Sequence, residues 1–294
     1  MSDEHPAPEI TPNYAAVARN VWLSIAQDRV LLTAAGMTFY LMMAIFPAMM
    51  AFVSVYGLAL DPATLTDHLA AVDGLLPAAA TDLVAGRLAE LVGEPAGDLT
   101  LGFMITLLIA LWSAGGGVKA MIQGLNIAYG LTEKRNFLRI SLLAVGFTLG
   151  AMVLILLLAV LLAVVPAILA LVPLGRWAEA GVSLARWPVM ALVIALALAV
   201  LYRHGPSRPP PPWRWITPGS AFATVAWIAA TIGFTLYLTY FADFDATYGA
   251  LAAPIGFLLW VWISMVVVIL GGEINAEVEA TEVNSTLENK GVAR

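Results

Sequence analysis

The residues able to do chemistry in this chain are few, and most lie at the ends of long apolar runs. There is no cysteine, so no thiolate metal site, disulfide or cysteine nucleophile can form. His5, His68 and His204 are far apart and none lies inside an apolar run, which argues against a multi-histidine metal centre. Asp243 and Asp245 stand two residues apart just before Tyr248. A hydrolase or cation site uses such a pair, but no histidine or further close acid completes one, and a solvated acidic turn is the simpler reading. Lys119, Gln123 and Asn126 recur at i, i+4 and i+7 and share a helix face. Turned inward, that face could hold an anionic headgroup; at a span end, Lys119 simply snorkels. Glu273 and Glu277 share another face, where they could pair with Lys119 or Arg214, or relay protons if buried. Thr217, Ser220, Thr224, Thr231 and Thr235 form a hydroxyl stripe. It reads as a polar path lining or, more simply, as hydroxyls bonded to neighbouring helices and to their own i−4 carbonyls.

The elements that must position these residues follow from composition. Of 294 residues, 61% are apolar and 12% charged. A soluble fold of this length cannot hide so much apolar surface, and a disordered chain is never this hydrophobic. A formal charge of −6 argues against a nucleic-acid partner. Charge-free runs cover 31–60, 99–118, 140–175, 187–202, 215–242 and 246–272. About 20 apolar residues cross the hydrocarbon core, so these are six transmembrane helices, the fourth short and the third ended near Pro166 and Pro173. Continuous rather than alternating hydrophobicity excludes a β-barrel. The polar start, with Pro6, Pro8 and Pro12, argues against a cleavable signal peptide. With the N-terminus in the cytoplasm, only Arg87, Arg176 and Arg186 of the 14 basic residues fall outside, so both termini are expected inside.

Outside the spans, Val17, Val21, Ile25 and Trp22 place an apolar face on a helix over 14–29, either lying on the inner leaflet or extending the first span. The loop 61–98 carries seven acids against Arg87, with apolar residues at helical spacing on either side of Pro77. It is expected to form two amphipathic helices over the outer face. Four prolines at 209–212 predict a stiff spacer. Pro47 predicts a kink in the first span, for packing or as a hinge. Gly115, Gly116 and Gly117 have two readings: a small-residue ridge of Gly116, Ala120 and Gly124 for tight packing, or a locally unwound helix exposing its backbone. The chain is thus read as an all-α polytopic membrane bundle of six transmembrane helices, N-in and C-in. Residues 1–30 form a cytoplasmic arm and interfacial helix, 31–277 the membrane domain with an outer helical loop at 61–98, and 278–294 an acidic cytoplasmic tail.

Five stretches carry a family likeness in their order and spacing: AAGMTFY at 34–40 with Phe46-Pro47, LNIAY at 125–129 with EKR at 133–135, WRWITPG at 213–219, TYG at 247–249 and GGEIN at 271–275. In these the chain resembles the BrkB/YihY family of bacterial inner-membrane proteins. The resemblance implies a six-helix inner-membrane protein linked to envelope integrity, with some relatives connected to lipopolysaccharide or lipid traffic. Members were once labelled ribonuclease BN; this sequence has no histidine–aspartate metal motif and no basic RNA-binding face to fit that label. The expected function is a transporter or flippase-like protein for a lipid or other amphipathic envelope component, with membrane lipids as partners and no cofactor or metal. Its candidate path residues are Lys119, Gln123, Asn126, Thr224, Thr231, Tyr248 and Glu273, and its candidate conformational residues Pro47, Gly115, Gly116 and Gly117. A non-transporting scaffold that recruits envelope partners through 61–98 is the alternative. A membrane-embedded enzyme ranks below both, for want of converging acids and bases.

Overall fold

A chain in hydrocarbon must satisfy every backbone N–H and C=O within itself, and the apolar runs do so as long helices. The computed structural model describes residues 14–59, 101–159, 176–240 and 249–289. In order these are α1 (Tyr14–Gln27), α2 (Val30–Ala59), α3 (Leu101–Ala128), α4 (Phe137–Ala159), α5 (Arg176–His204), α6 (Pro218–Tyr240), a 3-10 turn (Gly249–Leu251) and α7 (Ala252–Asn289). Helices α2 to α7 each contain a stretch long and apolar enough to cross a membrane. The shortest, Trp187–His204, has 18 residues, about 27 Å at 1.5 Å per residue. The expected loop helices of 61–98, the acidic pair Asp243 and Asp245, Tyr248, and Pro166 and Pro173 lie outside the described residues.

Helix α7 is the axis of the bundle. Half of its spanning stretch is buried, against 11% for α6, and it touches α1, α2, α3 and α6. The α2–α3 pair packs most extensively; α4 flanks α3 and α5 flanks α6. The outward faces keep large apolar side chains such as Leu108, Leu142, Val153 and Val225 exposed, as a hydrocarbon solvent requires.

Helix α1 is a separate element and not an extension of the first span. It stops at a turn through Asp28 and Arg29, where Arg29 takes φ 49°. Val17 and Val21 pack against Val278 of α7. Trp22, expected near that face, is instead 74% exposed, because one residue turns a helix by about 100° and Val21 already holds the buried position.

Helix α3 continues nine residues past Lys119, where the charge-free run stops, to Ala128. It is also unbroken at its three glycines, which removes the unwound alternative. The three do different things. A Cβ at Gly115 would meet Ala144 of α4 at 3.4 Å, one at Gly117 would meet Leu41 of α2 at 2.9 Å, and one at Gly116 would meet nothing within 4 Å. The ridge against α2 is therefore Gly117, Ala120 and Gly124, the last facing Met37, and Gly116 does not belong to it. Helix α2 runs through Pro47 without a break.

Helices α6 and α7 cross with their backbones in close approach. Thr217 caps α6, with Ser220 N–H donating to Thr217 Oγ1 at 3.1 Å and Thr217 N–H to Ser220 Oγ at 2.9 Å. Pro218 then occupies the first helical position, where its missing N–H costs nothing. A Cβ on the next residue, Gly219, would fall onto the Gly271 carbonyl oxygen; one on Gly271 would stand 2.8 Å from the Gly219 oxygen. Deeper in, Trp227 Nε1–H donates to Ser264 Oγ at 2.9 Å and Trp260 Nε1–H to Thr231 Oγ1 at 3.3 Å. Gly219→Ala should therefore lower the thermal stability of the detergent-purified protein by about 1–3 kcal/mol, the cost of overpacking. Gly116→Ala should be neutral or stabilising by up to about 1 kcal/mol. Equal melting temperatures for the two variants would show this crossing to be misassigned.

Candidate functional site

One end of the bundle gathers both chain-terminal helical segments and the two loops 129–136 and 204–217, and its polar residues form two connected layers. The first is a clamp. Helix α3 ends in a Schellman motif: Gly130 takes φ 59°, its N–H donates to the Ile127 carbonyl at 2.8 Å, and Leu131 N–H reaches the Asn126 carbonyl at 2.7 Å. The turn sends Glu133 back under Asn126, whose Nδ2 donates to Glu133 Oε2 at 3.0 Å. Arg135 grips the same carboxylate through Nε at 2.7 Å and Nη2 at 2.7 Å, and its backbone N–H adds a bond at 2.9 Å. Arg135 Nη2 also donates to the Gly205 carbonyl at 2.7 Å, and Asn126 Oδ1 accepts the Ser207 N–H at 2.7 Å. The start of the connector, 205–207, is thus pinned under the bundle with Pro206 buried, and the four prolines at 209–212 follow it without regular secondary structure.

The second layer surrounds a cleft of about 90 Å³ lined by Tyr129, Arg203, Arg208, Arg214, Asn275 and Glu279, among others. Arg208 forms a two-pronged pair with Glu279 at 2.6 and 2.9 Å, and its guanidinium lies 4.6 Å from the Tyr129 ring centre. Arg214 pairs with Glu282 at 2.8 and 3.1 Å. Arg203 bonds the Pro211 carbonyl, lies 5.0 Å from the Trp213 ring and has no carboxylate partner among the described residues. Asn275 Oδ1 accepts the Gly219 N–H at 2.8 Å, so the α6–α7 crossing fixes the orientation of its amide. Burial pushes the Tyr129 hydroxyl well above its usual range and keeps it protonated.

The residues singled out by sequence are dispersed. Asn126 is buried in the clamp. Lys119 sits on the flank of α3 beneath two aromatic rings, 4.6 Å from Trp112 and 5.2 Å from Phe137, and Gln123 is exposed. Thr224 is buried and its hydroxyl donates to the Ser220 carbonyl at 2.8 Å; Thr235 does the same to Thr231 at 2.8 Å, the ordinary use of hydroxyls in a membrane helix. Glu273 is buried beside Asp28 and Ser24, on the side of α7 opposite Asn275, with one oxygen lacking a hydrogen-bond partner. The expected pairing of Glu273 or Glu277 with Lys119 or Arg214 does not occur: Arg214 holds Glu282, and Glu277 accepts from Asn20 at 3.0 Å. Tyr129, Arg203, Arg208, Glu133, Arg135 and Asn275 were absent from the expected path.

The Arg135 hydrogen bonds hold the Glu133 carboxyl down at about 2, against the opposing effect of burial. A folded-state value below the unfolded one adds stability that is complete above the unfolded value and fades as pH falls toward the folded one. Glu133→Gln should therefore lower the melting temperature by a constant amount above about pH 5.5, an offset worth roughly 1–3 kcal/mol for a lost charge-assisted network. That difference should close as pH falls from the ordinary carboxylate range toward 2. Melting curves whose offset is independent of pH would contradict the clamp.

The family model described as Virulence factor BrkB matches residues 21–293. A relative named Putative ribonuclease-like protein YfkH, from Bacillus subtilis, is 32% identical over 252 residues, covering 82% of this chain and 87% of its own. A UPF0761 membrane protein of Pseudoalteromonas translucida is 32% identical over 71 residues, 24% of each chain. Another, from Ralstonia nicotianae, is 38% identical over 88 residues, 30% of this chain and 20% of its own. No solved structure matches the chain significantly. The matched region takes in the clamp, the cleft and every described spanning helix, and the chain belongs to the BrkB family of membrane proteins.

Proposed function

We propose that this chain is a multi-pass protein of the bacterial cytoplasmic membrane, with the clamped end in the cytoplasm, that moves a lipid or other amphipathic envelope component. The observation that supports the reading is the place of the cleft. Arg203, Arg208 and Arg214 converge at the end of a bundle whose outward faces are apolar, so a charged head and a hydrocarbon tail find matching surroundings within one molecule. The basic residues of the two loops, Lys134, Arg135, Arg139, Arg203, Arg208 and Arg214, gather at the same end, as cytoplasmic loops do. In this reading Lys119 and Gln123, on the flank of α3, meet a headgroup that arrives along the membrane. In this reading the protein binds and conveys, and does not catalyse a covalent reaction.

The test is reconstitution. Vesicles containing the protein should transfer a fluorescent anionic lipid between leaflets faster than empty vesicles. Arg203→Gln should cut the protein-dependent rate by about tenfold, the effect of removing one cation from a partly desolvated charge pair. Transfer no faster than in empty vesicles would sink the transport reading. Loss of all activity on deleting 67–94, with the six-helix body still folded, would favour the scaffold instead.

A further inference from the structure

Buried polar atoms nearly always find hydrogen-bond partners, so a cluster of orphans in one place asks for a missing group. Six side-chain polar atoms of the described residues are buried without a partner, and four of them belong to residues lining the one cleft: the Tyr129 hydroxyl, Arg203 Nε, Arg208 Nε and Asn275 Nδ2. All four can donate; the guanidinium and amide nitrogens can do nothing else, while the Tyr129 oxygen can also accept. The set is not an accident of amide orientation, because Asn275 is 2% exposed and its Oδ1 is committed to the Gly219 N–H. Arg208 spends its two Nη groups on Glu279 and leaves Nε over. The Arg208 and Asn275 side chains face the Tyr129 oxygen as hydrogen-bond donors, so the phenol still has its own proton to give.

Water could fill such a space, since about 90 Å³ is room for several waters. Charge favours something else. Arg208 and Arg214 are balanced by Glu279 and Glu282, whereas Arg203 has no carboxylate partner among the described residues and leaves the cleft with surplus positive charge. The residues also come from three separate elements, the end of α3, the end of α5 with its following loop, and α7, so the cleft is lined from more than one side. Donors on several sides with a net cation suit a tetrahedral oxyanion better than a planar carboxylate.

We propose that the cleft bounded by Tyr129, Arg203, Arg208 and Asn275 binds a phosphate-type oxyanion, either free or as the headgroup of an amphipathic lipid. This deepens the transport reading by naming the charged group accepted, and rests on that reading only for the movement of the ligand once bound. Its depth, where α3 and α5 leave the apolar region, is that of lipid headgroups.

The test uses the full chain in maltoside micelles, with thermal unfolding followed against inorganic phosphate, phosphatidic acid, and chloride and diacylglycerol as matched controls. The expected result is a saturable rise in melting temperature with phosphate or phosphatidic acid and with neither control. Tyr129→Phe and Asn275→Asp should each raise the half-saturating concentration about tenfold, as expected for one lost bond to a charged acceptor. Arg139→Gln, on the exposed start of α4, should leave it unchanged. A response to inorganic phosphate supports the site with a free anion as ligand; a response to phosphatidic acid alone supports it with a headgroup. No saturable response to either, or one unaltered in Tyr129→Phe, overturns the proposal. Should Asn275→Asp fail to fold, Tyr129→Phe decides, since it keeps the ring beneath Arg208. Binding without lipid transfer would uphold the site and reject transport; transfer without binding would do the reverse.

Discussion

The structure depends most on the carboxylate of Glu133. It accepts four hydrogen bonds, one from the Asn126 amide and three from Arg135, and both partners reach onward to the 204–208 turn. At the edge of an apolar bundle a loop has few partners except the protein itself, so its polar groups must be satisfied internally or left in water. The clamp does this for two loops at once. It joins the α3–α4 hairpin to the end of α5, although α4 and α5 themselves meet only sparsely. With that link cut, the connector would be held by the Arg208–Glu279 and Arg214–Glu282 pairs, the Arg203 bond to Pro211 and the Lys134 bond to Ser207, and would lose its tie to the end of α3. A network of this kind is worth keeping whole, because a half-satisfied one leaves charge unpaired at low dielectric.

Above the clamp, close approach of backbones does the equivalent work. Gly219 against Gly271 lets α6 and α7 cross so tightly that Tyr202 can place its hydroxyl on the Val268 carbonyl at 2.9 Å and Asn275 can cap the Gly219 N–H. Hydrocarbon tails solvate leucine as well as leucine does, so membrane helices associate through such small-residue contacts and buried polar bonds and not through the hydrophobic effect. The two devices share residues. Asn275 faces both the crossing and the cleft, so the geometry that binds α6 to α7 also sets the direction of a cleft donor.

The spans were legible because hydropathy is a summed property, and errors at single positions do not alter the sum. Single positions were less legible. Lys119 ended the second span in the sequence but not in the structure, because the Trp112 and Phe137 rings hold its ammonium while the helix carries on. Spacing alone puts Gly116 in the ridge with Ala120 and Gly124, and only the placement of α2 shows that Gly117 holds that position. The stretches LNIAY, WRWITPG and GGEIN drew attention as a family likeness, yet their chemistry was invisible in that form. Asn126 means little until Glu133 folds beneath it, and Thr217, Pro218 and Gly219 become a helix cap, a first-turn proline and a contact point only once α7 lies alongside. The orphaned donors could not be read from sequence at all, since being unpaired is a property of burial and neighbours.

The joining of the two loops is the claim on which clamp, cleft and anion site all rest, and the absence of cysteine makes it directly measurable. Lys134 N–H lies 3.0 Å from Ser207 Oγ, so cysteines introduced at 134 and 207 are within disulfide reach. The account predicts rapid intramolecular cross-linking of the Lys134→Cys, Ser207→Cys pair in native membranes under mild oxidant. Two thiols that each react with an aqueous reagent but never with one another would contradict it.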